Sequence, residues 1–166
     1  MVLPAMRTGR RKRRRGLLTM RRELSQRVTK KVSNMASICK DIPIHAHPDA
    51  VWEAVRDFGA VHQRLNPGFV VDCRLDGNAR IVTFHNGNVV REEFVDCDDT
   101  RRRLAYAITG RERVNHYNGS VQVLGDGDNR SRIIWIVDVL PNEIAPYISE
   151  QMDLAAVAMQ KTLGSA

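Results

Sequence analysis

An α+β fold, an antiparallel sheet with one long helix to cover it, is predicted by three features of this 166-residue sequence. Seven stretches read as strands, with a short helical pattern after the first. The breaks between them are short and rich in Asn, Asp and Gly, so consecutive strands should form an antiparallel meander. The chain then closes on apolar residues at helical spacing. A sheet with one face to bury, and one helix to bury it, tends to leave a gap between the two. Function is expected in that gap.

The first strand is expected over 38–45. Pro48 suits the first turn of a helix, and Asp49 adds a negative charge where the helix dipole favours it. Val51, Trp52 and Val55 form the apolar face of that helix, and Gly59 is expected to end it. A second short helical turn over 60–65 closes at Asn66-Pro67-Gly68. Strands are expected over 69–75, 79–85, 89–97, 102–109, 114–124 and 131–140. The turns between them include Asp76-Gly77-Asn78, Asn86-Gly87-Asn88, Asp98-Asp99-Thr100 and the run from Gly125 to Asn129. Pro141 stops the last strand. Ile144, Ile148, Met152, Ala155, Met159 and Leu163 then line one face of a helix over 143–163.

The length fits one domain with a core that needs no staples. The net charge of +7 is unevenly spread. Residues 1–34 hold 12 Lys and Arg against one acid, whereas residues 35–166 hold 14 against 18. The expected division is a basic, disordered extension over 1–34 and a ligand-binding domain over 35–166. Met20, Leu24, Val28 and Val32 leave a weakly amphipathic helix open within the extension. Nucleic-acid or anionic-surface contact through residues 7–31, or a transit-type targeting role, are the lesser readings. Cys39, Cys73 and Cys97 are odd in number and far apart, which fits a reducing, cytoplasmic setting rather than a disulfide frame. No apolar run is long enough for a transmembrane helix.

Side chains alternate along a strand, so each pattern can be sorted by face. Ile133, Trp135, Val137 and Val139 share a face expected to lie beneath the long helix. Val90, Glu92 and Phe94 share another, which makes Glu92 a carboxylate among apolar neighbours. It either faces a ligand in a roomy cavity or reaches solvent from an edge strand. Tyr117 shares a face with Gly119, Val121 and Val123, and either offers its hydroxyl to a ligand or packs in the core. Ala105 and Ala107 are read as small residues leaving space on a cavity wall, with Tyr106 on the opposite face. His45 and His47 lack grouped partners, so no metal site is expected. Common motifs for phosphate binding, zinc hydrolysis and nucleophilic catalysis are missing. No cofactor and no catalytic residue is assigned.

The segments His47-Pro48-Asp49-Ala50-Val51-Trp52, Val89-Val90-Arg91-Glu92-Glu93 and Ile133-Ile134-Trp135-Ile136-Val137 occur in an order that resembles the START-like (SRPBCC) superfamily, which includes polyketide cyclases and lipid-transfer proteins. The resemblance implies a helix-grip fold, a seven-stranded curved antiparallel sheet wrapped around a long C-terminal helix, with a hydrophobic cavity between them. A weaker likeness to the abscisic-acid receptor branch rests on Asp98-Asp99, on Arg113 to Tyr117 and on Val137-Asp138-Val139. It implies that Glu92 and Tyr117 line the pocket. The receptors' carboxylate-binding lysine has no match here, since no lysine occurs between Lys40 and Lys161. A ligand other than that hormone is therefore expected.

The expected function is binding, as carrier or sensor, of a small hydrophobic ligand such as a lipid or polyketide. The alternative is a polyketide cyclase or dehydratase in the same cavity, with Glu92 or Tyr117 moving protons. The expected ligand-binding residues are Val90, Glu92, Phe94, Ala105, Ala107, Tyr117, Ile133, Trp135, Ile148 and Met152. Loops 85–89 and 110–114 are expected to gate entry.

Overall fold

The computed structural model describes residues 35–110 and 112–164. Every expectation for residues 1–34 lies outside the described residues. Seven strands, β1 (Ala36–Ile44), β2 (Val70–Asp76), β3 (Ala79–Phe84), β4 (Val89–Asp98), β5 (Arg103–Ile108), β6 (His116–Gly125) and β7 (Ser131–Leu140), form one sheet. Helix α1 (Pro48–Val55) follows β1, and helix α2 (Ala145–Leu163) ends the described chain. The strand order is β1-β7-β6-β5-β4-β3-β2, with every pairing antiparallel. The meander from β2 to β7 thus joins sequence neighbours throughout. Only β1 crosses, to pair with β7.

Local chemistry explains the boundaries. His47 caps α1, its Nδ1 accepting from the Asp49 amide at 3.3 Å, and Pro48 occupies the first turn. The helix ends at Val55, with Arg56 as its C-cap, and not at Gly59. The expected turn over 60–65 is a single π-helical turn, Val61–Leu65. The β2–β3 hairpin turns on Gly77 and Asn78. Gly77 lies at φ +60°, and a type II′ turn calls for glycine at that first central position. The long helix starts at Ala145, later than expected, because Asn142–Ile144 winds as a 3₁₀ turn after Pro141.

Alternation along β7 is complete: Ser131, Ile133, Trp135, Val137 and Val139 are buried, and the residues between them are half-buried. The opposing helix face is Met152, Ala155, Met159 and Leu163. Helix α2 packs along β1 and the π-helical turn. Lys40 of β1 reaches Asp153 at 2.5 Å and Ser149 at 3.0 Å, and Gln160 donates to the Pro43 carbonyl at 3.2 Å. Helix α1 is tied to the β4–β5 turn, with Trp52 Nε1 donating to Asp99 at 3.0 Å and Arg102 to Asp49 at 2.5 Å. No helix among the described residues is long and apolar enough to cross a membrane.

Candidate functional site

A cavity of about 140 Å³ lies between the inner faces of β3–β7, the π-helical turn with the residues after it, and α2. Its position follows from the packing of α2. The helix hugs β1 and the π-helical turn, so the far side of the sheet, β3 to β5, is left partly uncovered. The walls are mostly apolar: Val82 and Phe84 from β3, Val90 from β4, Leu104 and Ile108 from β5, Val121 from β6, and Ile148 and Met152 from α2. Asn86 and Asn88 from the β3–β4 turn, and Val114 from the β5–β6 loop, stand at its border. Asn88 Nδ2 donates to the Tyr147 hydroxyl at 3.4 Å, linking that turn to the first turns of α2.

Buried polar groups enter this apolar hollow at three places. Arg80 and Glu92 face each other across β3 and β4, and both are buried, at 7% and 6% exposure. Arg80 Nε donates to Glu92 Oε2 at 2.7 Å, and Nη2 lies 2.6 Å from the same oxygen. Arg80 Nη1 donates to the Phe58 carbonyl at 3.0 Å, and the guanidinium stacks on the Phe58 ring, 4.2 Å from its centroid. Burial of either charge alone would be costly, so each stabilises the other's presence here.

The second polar place is a chain of ring groups. Trp135 Nε1 donates to the Tyr106 hydroxyl at 3.1 Å, and the Tyr106 and Tyr117 rings lie tilted to each other with centroids 6.2 Å apart. Burial, with Glu92 nearby, pushes both tyrosine pKa values far above the ordinary range. Both hydroxyls therefore keep their protons. Tyr106 can lie flat over β6 because its cross-strand partner is Gly119: a Cβ there would fall 2.3 Å from the ring. The third place is Asn66, only 5% exposed, whose Oδ1 has no hydrogen-bond partner.

Of the expected site residues, Val90, Glu92, Tyr117, Trp135, Ile148 and Met152 border the cavity. Four do not. Phe94 packs edge-on against Phe58 at 5.5 Å, and β4 bulges directly after it, between Phe94 and Asp96. Ala105 and Ala107 lie on the opposite face of β5. The larger residues of that strand, Leu104, Tyr106 and Ile108, turn inward because they have more apolar surface to bury. Ile133 is wholly buried, but in the filled part of the core, in register with Ile42 and Val123. Glu92 does not reach solvent from an edge strand, since β4 lies between β3 and β5.

Arg80, Tyr106 and Asn66 were not among the expected site residues. A signal existed for two of them. Arg80 shares its face of β3 with Val82 and Phe84, and a hairpin turning at Asn86-Gly87 sets it opposite Glu92. Tyr106 alternates in step with Leu104 and Ile108. Asn66 follows an irregular turn, for which no period exists to read.

The sequence model of the family described as polyketide cyclase / dehydrase and lipid transport matches residues 35–164. The chain belongs to this family. Solved structures share the fold that the family implies. An uncharacterized protein from Bacillus thuringiensis superposes with a TM-score of 0.70 at 20% identity, over 77% of this chain and 98% of its own. A START superfamily protein from Mycobacterium smegmatis gives 0.60 at 14% identity, over 76% and 98%. Truncated norcoclaurine synthase from Thalictrum flavum gives 0.62 at 19% identity, over 76% and 92%. At these identities the likeness concerns the fold, a START-like helix grip. No curated protein matches the sequence.

Proposed function

We propose that residues 35–166 form a ligand-binding domain, a carrier or sensor, which holds a small hydrophobic molecule such as a polyketide or lipid between the sheet and α2. The observation that carries this reading is a hollow left unfilled in an otherwise packed core, lined by apolar side chains and furnished with a few convergent polar groups. Apolar burial would supply most of the affinity, about 25 cal/mol per Å² before ordering costs. Val90, Trp135, Ile148 and Met152 would act as walls, and Glu92 and Tyr117 as orienting groups.

Size narrows the guest. About 140 Å³ is close to the space that holds a benzene-sized molecule in an engineered cavity of roughly 150 Å³. It falls short of the roughly 300–1,000 Å³ of most ligand pockets. A compact ring fits as the cavity stands. A lipid or larger polyketide requires the border to open, and the Asn88–Tyr147 contact is the link that would part. The loops at 85–89 and 110–114 would then gate entry.

The cyclase or dehydratase reading uses the same cavity and has one observation in its favour, a buried carboxylate beside two tyrosines. Glu92 is held by Arg80, and both tyrosines keep their protons, so these groups suit hydrogen bonding better than proton abstraction. Binding is therefore the first reading. Native mass spectrometry of the purified full chain should find a co-purified lipophilic compound. Adding that compound back at one hundred times Kd should raise stability by about 2.7 kcal/mol. A protein that retains no such compound, and whose melting temperature no apolar compound shifts, is not a carrier. Turnover of a polyketide that disappears in Glu92→Gln would favour the enzyme.

A further inference from the structure

The charges bordering the cavity cancel within the protein. Among the described residues of its wall, Arg80 is the one cation and Glu92 the one anion, and each is the other's partner. Both Arg80 contacts go to a single carboxylate oxygen, Oε2. A third N–H is taken by the Phe58 carbonyl. Glu92 Oε1 and part of the guanidinium are therefore left beside each other as an acceptor and a donor with no net charge. The other buried polar groups are neutral too, among them the protonated hydroxyls of Tyr106 and Tyr117 and the Asn66 carboxamide with its unpartnered Oδ1, and so are Asn86, Asn88 and Gln151 at the border.

Such an edge suits a hydroxyl, a carbonyl or an amide, each of which can meet a donor or an acceptor without bringing charge. A carboxylate placed here would face the Glu92 oxygen as closely as the arginine. Its lost hydration would find no uncompensated cation in return. Resting on the cavity reading above, we infer that this site selects uncharged guests, a neutral polar group on a compact apolar frame, and rejects anions of the same shape. Glu92 is then a specificity residue that acts by neutralising Arg80.

The test is a pair of single-ring probes of one size that differ in charge, benzamide and benzoate, titrated into the full-length protein at pH 7 by calorimetry. The amide should bind at least tenfold more tightly. In Glu92→Gln, Arg80 loses its counter-charge, so the preference for the amide should fall at least tenfold or invert. The double variant Arg80→Gln/Glu92→Gln restores neutrality and should keep the preference, whether or not the single variant folds by circular dichroism. Equal or tighter binding of benzoate to the unaltered protein overturns the charge rule while leaving the binding cavity standing. So does an unchanged ratio in a folded Glu92→Gln, or a lost preference in the double variant. Binding of neither probe at millimolar concentration overturns the cavity reading, and the charge rule with it.

Discussion

The two halves of the sheet solve opposite problems. Around β1, β7 and α1 the core is filled: Ile44, Val51, Val123, Ile133 and Val139 are buried to within 2%. Around β3 to β5 the core is hollow and holds a buried ion pair. Both halves are built from the same alternating strands, so the difference lies in what covers them. Helix α2 lies along β1, and its early turns leave space over β3–β5. The filled half holds the fold together. The hollow half gives up packing and buries charge, as expected of a surface kept for something other than stability.

The sharpest way to break this contrast is to unpair the charge in the hollow half. Arg80→Met leaves the Glu92 carboxylate buried alone and should cost about 3–5 kcal/mol in urea unfolding. Exchanging both, Arg80→Met with Glu92→Leu, should be neutral or stabilising by about 1–4 kcal/mol. If the double variant is instead as damaged as the single, the pair holds the fold and is not a feature of the site.

Truncation compares the halves directly. Ile133→Ala opens a void in the filled core and should cost about 2–5 kcal/mol by the same measurement. Ile148→Ala enlarges a space that is already open, beside a half-exposed residue, and should cost less than about 1.5 kcal/mol. Equal costs would mean that the cavity wall is as tightly packed as the rest.

Gly119→Ala tests the floor of the hollow. Its methyl group would sit 2.3 Å from the Tyr106 ring, which must move toward the cavity. A loss of about 1–3 kcal/mol is expected, together with weaker binding of any guest. A variant as stable as the original would show that Tyr106 relocates freely.

The smallest effect concerns alkaline pH. Tyr106 and Tyr117 have folded-state pKa values raised above the ordinary 10, so the unfolded chain loses their protons first as pH rises. Their contribution is complete below about pH 10 and declines above it, by about 1.4 kcal/mol per pH unit for each group, until the folded pKa is reached. Tyr117→Phe should flatten that decline, as read by urea midpoints between pH 9 and 11. An unchanged slope would mean that Tyr117 is open to water.

The comparison also separates what could be read early from what could not. Strand limits fell within a few residues of the expected ones because alternation and turn residues are local signals. The inward set of β7 was plain, since Ile133, Trp135, Val137 and Val139 differ sharply from their neighbours. The face of β5 was misjudged because small residues were taken to mark a cavity wall. In the fold it is the bulky Leu104, Tyr106 and Ile108 that surround the space. Phe94 keeps the face of Glu92, in register with Tyr106, but Phe58 packs against it at 5.5 Å, a contact between distant elements that alternation does not show.

By itself the sequence determined the order of elements, the antiparallel meander, the buried faces of most strands and the apolar stripe of the last helix. Each of these is written in periods and turns only a few residues long. Tertiary structure alone decided the partner of Glu92, the seat of Tyr106 over Gly119 and the line along which α2 lies. Those depend on residues brought together from distant strands, where register and helix placement govern which atoms meet. The hollow is a product of that placement: it measures how far one helix can cover a curved sheet, and no stretch of sequence encodes it.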